Sequence, residues 1–340
     1  MQRLFLCLWQ LRLNLTSLPC FAMLGLCVWT ASANAEWTVR EIAAHDEYVY
    51  MIDFSASGKR MVSAAGDNQV LVWDVATEKP VHALPHDSAV YAAVIHPHEK
   101  LLATGSGEGH ARLWNLETGE QVFHQQAHDD AIYCLAFSTD GKRLATVGGD
   151  AEKGDTDLRI WQVEDDACRV ISTQPGHQRP AYGVLFLSNG QLVTSGGDGK
   201  LRWHDAEGKF QQAISVHDSD VYRCAVTQDG KWFATTSQDK SIRLWSRSDS
   251  PDAGNLIEKD RQTLKDPMYA VAFHPTKQQL ASVGDDGRLR LWNTADGQLI
   301  LLHQQKLSRE ALYAVAFSPD GSQLVAAGTD GKIYQADVSQ

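Results

Sequence analysis

One frame of residues returns seven times along this chain, and that period constrains the fold more than any other property of the sequence. Val49 opens VYMIDFSASGKRMVSAAGDNQVLVWD, and Val90 opens VYAAVIHPHEKLLATGSGEGHARLWN. The frame recurs at Ile132, Ala181, Val221, Met268 and Leu312, with its tyrosines at 50, 91, 133, 182, 222, 269 and 313. The spacings of 41, 42, 49, 40, 47 and 44 residues centre on about 43, the period of four-stranded propeller blades. Each copy reads as short strands. An apolar run such as AVAF precedes a turn such as SPDG, then come a second run (LASVG), a Gly/Asp turn and a third run (RLRLW). No segment carries sustained helical periodicity with caps. A single copy cannot bury both faces of its sheet, so the copies must stack into one body.

Four further positions recur within the frame: a His ahead of the first strand, a Ser or Thr in the second, an Asp in the next turn, and a Trp ending the third. On these residues the sequence resembles the WD-repeat (WD40) family over residues 37–337. The resemblance implies an all-β fold, a seven-bladed β-propeller of four-stranded antiparallel blades. It also implies that each complete set joins His, Ser/Thr, Asp and Trp within a blade. The complete sets are His45, Ser63, Asp67 and Trp73; His128, Thr146, Asp155 and Trp161; and His217, Thr235, Asp239 and Trp245. The second copy has His86, Thr104 and Trp114, with Glu108 where Asp is usual. The fourth keeps His177, Thr194 and Asp198 but has His204 at the Trp position, with Trp203 one residue early. The sixth has Ser282, Asp286 and Trp292 without an opening His, and the seventh keeps Asp330 alone, with Ala326 and Ala336 at the Ser/Thr and Trp positions. Ring closure is legible as well. The last copy ends after its third strand at Ile333–Val338, and Trp37–Ala43 precedes the first opening His, where a fourth strand would lie. Pairing the two, so that the N-terminal strand joins the last blade, removes two open sheet edges.

The first 35 residues read as an address. Arg3 and Arg12 are the only charges before Glu36; an apolar stretch runs from Leu18 to Trp29, and Ala33-Asn34-Ala35 fits the small-residue pattern of a cleavage site. The expectation is therefore a signal peptide over 1–35 and a single propeller domain over 36–340, exported to a periplasmic or extracellular space. The alternatives are an uncleaved N-terminal anchor and a cytoplasmic protein. Cleavage would leave 305 residues, no stable membrane insertion, and three of the six cysteines: Cys134, Cys168 and Cys224.

The formal net charge is −11, and loss of Arg3 and Arg12 takes it to −13. This balance excludes the broad basic footprint that nucleic acid requires. Chemistry is sparse. His45, His86, His128, His177 and His217 read as structural, and His96 and His274 as exposed turn residues. The Gly-rich stretches at Gly105 and Ser195 fall in turns that need positive φ. The acidic insertion from Asp150 to Asp157 lacks the ligand register of an EF-hand, although calcium is conceivable there. No catalytic residue, metal site or cofactor is expected.

The tyrosines stand apart. Seven of the nine (Tyr50, Tyr91, Tyr133, Tyr182, Tyr222, Tyr269 and Tyr313) hold one repeat position at the start of the innermost strand. By the resemblance, that position belongs to the narrow face around the central channel. The adjoining loops are acidic, with Asp46, Glu47, Asp87, Asp129, Asp130, Asp218 and Asp220, and with Asp266 and Glu310 nearby. The expected function is a monomeric, non-enzymatic scaffold that binds a protein partner, preferably a basic one, on this face. The alternative is a small-ligand-binding or hydrolytic propeller that uses the channel mouth, with or without a metal. Packing of the mouth by the tyrosines is the competing explanation for their recurrence.

Overall fold

Apolar residues on both faces of every central strand dictate the architecture. The second strands of the seven copies are buried along nearly their whole length, as in Leu101–Ser106 and Leu192–Gly196. The outer strands are largely exposed. A sheet with two apolar faces must be covered on both sides. The computed structural model describes residues 37–150, 155–164, 167–247 and 255–339; the expected signal peptide lies outside them. The described strands form seven four-stranded antiparallel sheets. In chain order blades 1 to 6 occupy residues 49–85, 90–126, 132–174, 181–215, 221–263 and 268–306, and blade 7 combines 312–337 with 39–43. Their first strands contact one another around the ring and form its inner wall.

The core is divided among the seven junctions between blades. Val62, Val72 and Leu84 of blade 1 pack on Val90, Ile95, Leu102 and Trp114 of blade 2, and equivalent clusters fill every other junction, including blade 7 against blade 1. Closure follows the sequence expectation. Val39–Ala43 pairs antiparallel with Lys332–Asp337 in the register Val39↔Ala336 to Ala43↔Lys332. Lys332 Nζ meets Glu41 at 2.6 Å, and the Trp37 ring lies 4.1 Å from that of His303 on blade 6. The turn glycines behave as expected: Gly109 and Gly199 have φ of 82° and 75°. A Cβ at Gly109 would meet the His128 carbonyl oxygen at 2.1 Å.

His96 and His274 depart from expectation. Neither is exposed; they are 8% and 5% accessible. In each, Nδ1 accepts backbone N–H groups of its own turn, from His98 for His96 and from Thr276 and Lys277 for His274. Nε2 therefore carries the proton and donates to the carbonyl of Gly141 or Gly321 on the next blade, at 3.1 and 3.2 Å. These turns lie against a neighbour, and the missing Cβ of each glycine makes room for the ring.

Asp53 forms another link between blades. Its carboxylate accepts the Ile95 N–H of blade 2 at 2.9 Å. Burial raises its pKa from 3.8 to about 6, against the pull of the Ile95 and Phe54 N–H groups. A carboxyl with its folded pKa above its unfolded value binds more protons when folded, so stability falls as pH rises from about 4 to 6. Asp53→Asn keeps an oxygen for Ile95. It should raise stability by about 1–3 kcal/mol at pH 7.5, with the gain vanishing near pH 4 in urea titrations. Deleting residues 37–43 should lower the melting temperature of the whole ring in one transition; an unchanged melting curve would refute closure by this strand.

A tyrosine-lined channel mouth as the candidate binding site

Each recurring tyrosine is the extra residue of a β-bulge. The register between first and second strands slips at Val49/Met51, Val90/Ala92, Ile132/Cys134, Ala181/Gly183, Val221/Arg223, Met268/Ala270 and Leu312/Ala314. The skipped residue is the tyrosine every time. A bulge leaves one residue outside the ladder and re-aims its side chain, and here it turns seven phenol rings to the mouth of the central channel. They form a closed circuit. Successive centroid distances from Tyr50 through Tyr91, Tyr133, Tyr182, Tyr222, Tyr269 and Tyr313 are 4.7, 5.4, 5.5, 5.3, 5.1 and 5.1 Å, and Tyr313 returns to Tyr50 at 5.8 Å. These spacings suit aromatic pairs. The seven rings and Arg223 line a cavity of about 170 Å³.

Several hydroxyls point to the rim. Tyr182 and Tyr269 donate to Asp220 and Asp285 at 3.3 Å, and Tyr222 donates to Gln238. Burial, followed by the neighbouring phenols, raises the pKa of Tyr50 to about 12; burial, followed by the nearby Asp220 or Asp285, raises that of Tyr182 to about 12 and pushes those of Tyr222 and Tyr269 up as well. These four phenols therefore stay protonated at physiological pH. Asp46, Glu47, Asp87, Asp129, Asp218 and Glu310 are exposed, while Asp130, Asp220 and Asp266 are partly buried. Asp220 pairs with Arg179 at 3.1 Å and Asp87 with Arg112 at 2.6 Å.

The His-containing sets hold the loops that carry this rim. In blade 5, His217 Nδ1 donates to Asp239 at 2.8 Å. The Thr235 hydroxyl donates to His217 Nε2 at 2.7 Å and accepts the Trp245 indole N–H at 3.0 Å. Because a carboxylate only accepts, the imidazole tautomer and every donor follow. Blade 1 repeats this with His45, Asp67, Ser63 and Trp73. In blade 3 the His128–Thr146–Trp161 chain is intact at 3.0 and 3.1 Å. His128 Nδ1 lies 3.4 Å from Asp155, whose carboxylate accepts the Asp129 N–H at 2.7 Å instead. In blade 2, His86 Nδ1 donates to the Leu84 carbonyl rather than to Glu108. Burial, then the Arg112 charge, lowers the His86 pKa to about 4. In blade 4, His204 pairs with Leu192 as Trp245 pairs with Phe233, so it occupies the Trp position, and Trp203 faces the blade 4–5 core.

Three features of the site escaped the sequence reading. The acid after the second strand pairs with an arginine four residues on in five blades: Glu108–Arg112, Asp155–Arg159, Asp198–Arg202, Asp239–Arg243 and Asp286–Arg290. In blade 7 Tyr334 replaces that arginine and donates to Asp330. The spacing was visible in the sequence. Tyr48, 45% exposed, sets an eighth ring 6.2 Å from Tyr50 and 6.4 Å from Tyr313. Arg223 is the only charged residue that directly follows a channel tyrosine. Among the described residues, no group of three or more His, Cys, Asp or Glu is placed to hold a metal ion, and no helix is long and apolar enough to cross a membrane.

Fold and site together define a seven-bladed propeller with a tyrosine-lined mouth. The family described as WD domain, G-beta repeat matches residues 37–74, 78–115, 119–162, 168–205, 208–246, 259–293 and 302–337, and the chain belongs to that family. Each matched repeat starts one strand ahead of its blade, which is why closure needs the N-terminal strand. Apoptotic protease-activating factor 1 of Rattus norvegicus is 22% identical over 324 residues, 84% of this chain, but the chain spans only about a quarter (25%) of that protein. Eukaryotic translation initiation factor 3 subunit I of Scheffersomyces stipitis is 23% identical over 278 residues, 76% of this chain and 77% of that protein. Among solved structures, U3-55K superposes with a TM-score of 0.79 at 20% identity, covering 88% of this chain and 98% of the other. The WD40 repeats of RRP9 give 0.78 at 20%, covering 88% and 97%.

The hydroxyl at the centre of each set supports a stability test. Thr235→Ala strands both His217 Nε2 and Trp245 Nε1, whereas Ser282→Ala strands only Trp292, whose indole donates to Ser282 at 2.8 Å. Each buried group left unpaired costs about 1–3 kcal/mol. Denaturant unfolding should show the larger loss for Thr235→Ala.

Proposed function

We propose that this chain is a non-enzymatic display platform that binds a basic segment of a protein partner on its tyrosine-lined, acidic face. The single observation that carries this reading is the closed circuit of seven tyrosines, each set on a bulge and ringed by carboxylates. A cation over a phenol face is worth about 0.5–2 kcal/mol, depending on desolvation, and tyrosine is enriched at binding hot spots. Rim carboxylates add steering that weakens with salt. The relatives support binding in general terms, since one is by name a subunit of a translation initiation factor. On this reading the platform is a monomer without its partner and needs no cofactor. It works outside the cytoplasm, after removal of residues 1–35.

The double variant Tyr91→Ala/Tyr222→Ala should weaken capture of a lysine-rich peptide about tenfold or more, measured by fluorescence anisotropy, with a nearly unchanged melting temperature. Parallel loss of binding and melting temperature would assign the tyrosines to packing. N-terminal sequencing of the protein from its native source should begin at Glu36; a start at Met1 would return it to the cytoplasm or to an anchored form.

A further inference from the structure

The channel mouth contains a charge that the acidic rim does not explain. Arg223 lines the cavity beside the seven tyrosines. At the equivalent place the other blades have Met51, Ala92, Cys134, Gly183, Ala270 and Ala314, so the guanidinium breaks the sevenfold pattern once. Its Nη1 donates to the backbone carbonyl of Tyr182 on blade 4 and, at 3.4 Å, to that of Tyr222. It therefore sits at the level of the tyrosine backbone, beneath the phenol hydroxyls that donate to the rim. Gly183 makes room for the neighbouring hydroxyl: a Cβ there would lie 2.5 Å from Ser195 Oγ and 3.6 Å from the Tyr222 carbonyl oxygen. Ser195 Oγ is buried beside this spot without a hydrogen-bond partner among the described residues.

No carboxylate pairs with Arg223 among the described residues, and both of its hydrogen bonds use Nη1. The Nη2 and Nε donors of the fork remain, and together they match the two oxygens of a carboxylate. Tyr182 and Tyr222, whose backbone carbonyls hold the guanidinium, supply no countercharge, since burial keeps their phenols protonated. A lysine or arginine side chain reaching the same depth would meet the guanidinium as a like charge. Cations therefore belong on the rim and an anion on the floor.

We propose that the mouth receives the free C-terminus of a basic partner segment. Its carboxylate passes through the tyrosine ring to Arg223 while its basic side chains lie on the rim carboxylates. This rests on the basic-partner reading above and adds the polarity of the ligand. A chain end suits the opening better than an internal acidic side chain, whose flanking backbone would have to lie across the rim. The cavity of about 170 Å³ accommodates a terminal residue, since a cavity of ~150 Å³ holds a benzene ring.

Two probe pairs test it. Benzoate and benzylammonium share a ring and differ in charge; titration of wild-type protein, followed by the Arg223 Nε resonance, should show saturable binding of benzoate and none of benzylammonium. A hexapeptide with two lysines and a C-terminal valine should bind about tenfold or more tightly as the free acid than as the amide. Arg223→Gln should erase that difference and Arg223→Lys should retain part of it, each checked against its melting curve. Preference for benzylammonium, equal binding of acid and amide, or failure of both benzoate and the free acid to bind would overturn the proposal. If acid and amide bind equally yet both are lost in Tyr91→Ala/Tyr222→Ala, the basic-partner reading stands and the carboxylate reading alone fails. Should the Arg223 variants not fold, the two wild-type comparisons still decide. A peptide with an internal glutamate and an amidated end separates a side-chain carboxylate from a terminal one, and tighter binding of that peptide would also refute the proposal.

Discussion

The structure depends on one constraint: no blade can cover both of its apolar faces by itself. Each junction is a core made half by one sheet and half by the next, as where Val193, Leu201 and Trp203 of blade 4 meet Val221, Phe233 and Trp245 of blade 5. Such a stack is satisfied only when its last face meets its first. The junction of Val325 and Ile333 with Val49, Ile52 and Trp73 does this, and the strand at 39–43 covers the remaining edge. Closure also brings the seven first strands to a common centre. A residue bulged out of each strand at the same height then has nowhere to point except the channel mouth, so the tyrosine ring is a consequence of closure combined with the bulge.

Within each blade a smaller constraint operates. The second-strand hydroxyl has one proton to give, to imidazole, and its lone pair takes the indole proton. That links the loop at the rim to the outer half of the sheet. The degenerate blades show how far the arrangement can be relaxed. Blade 6 has Leu264 at the His position, and its hydroxyl serves Trp292 alone. Blade 7 has alanine at the hydroxyl and Trp positions and fastens its loop differently, with Ser308 and Tyr334 both donating to Asp330. Blade 4 is the least economical. His204 replaces tryptophan, its Nδ1 reaches the Gly208 carbonyl at 3.1 Å, and its Nε2 and the Trp203 indole nitrogen are buried without partners among the described residues. A closed ring tolerates such a blade because its neighbours hold it on both faces.

Most of what was legible in the sequence lies within one repeat. The strand order and the His–hydroxyl–Trp chains follow from residues in a single frame, and the period and the closing strand from setting the frames side by side. Apart from the acid–arginine pairs, what stayed hidden mostly crosses between repeats. His96 reaches Gly141, His274 reaches Gly321, Asp53 reaches Ile95 and Arg223 reaches Tyr182, in each case 41 to 47 residues away. Stacking the repeats for comparison sets equivalent positions in columns and conceals contacts of this kind, because each joins different columns of adjacent rows. The bulge was hidden for another reason: it is a property of register, and a tyrosine in a continuous strand would have given the same pattern of letters.

The divergence of the seven copies bears on function more directly than their likeness does. Seven identical tyrosines make a mouth with no preferred direction, able to hold any flat or cationic group equally well from each side. Direction comes from the residues that differ. Arg223 places positive charge toward blades 4 and 5, where it holds the Tyr182 and Tyr222 carbonyls, while Asp53 stands in the first strand of blade 1 and is held to Ile95. Around the rim, Asp220 is partly neutralised by Arg179 and Asp87 by Arg112. Asp46 and Glu47 are exposed beside the eighth ring, Tyr48. The mouth thus has an exposed negative edge beside blade 1, and its positive floor lies toward blades 4 and 5. A ligand carrying both signs of charge would be oriented by that separation, whereas a uniformly basic one would gain from the rim alone and be repelled at depth. The pseudo-symmetric ring sets what size of group can enter, and the few residues that break the symmetry set which end of it goes in.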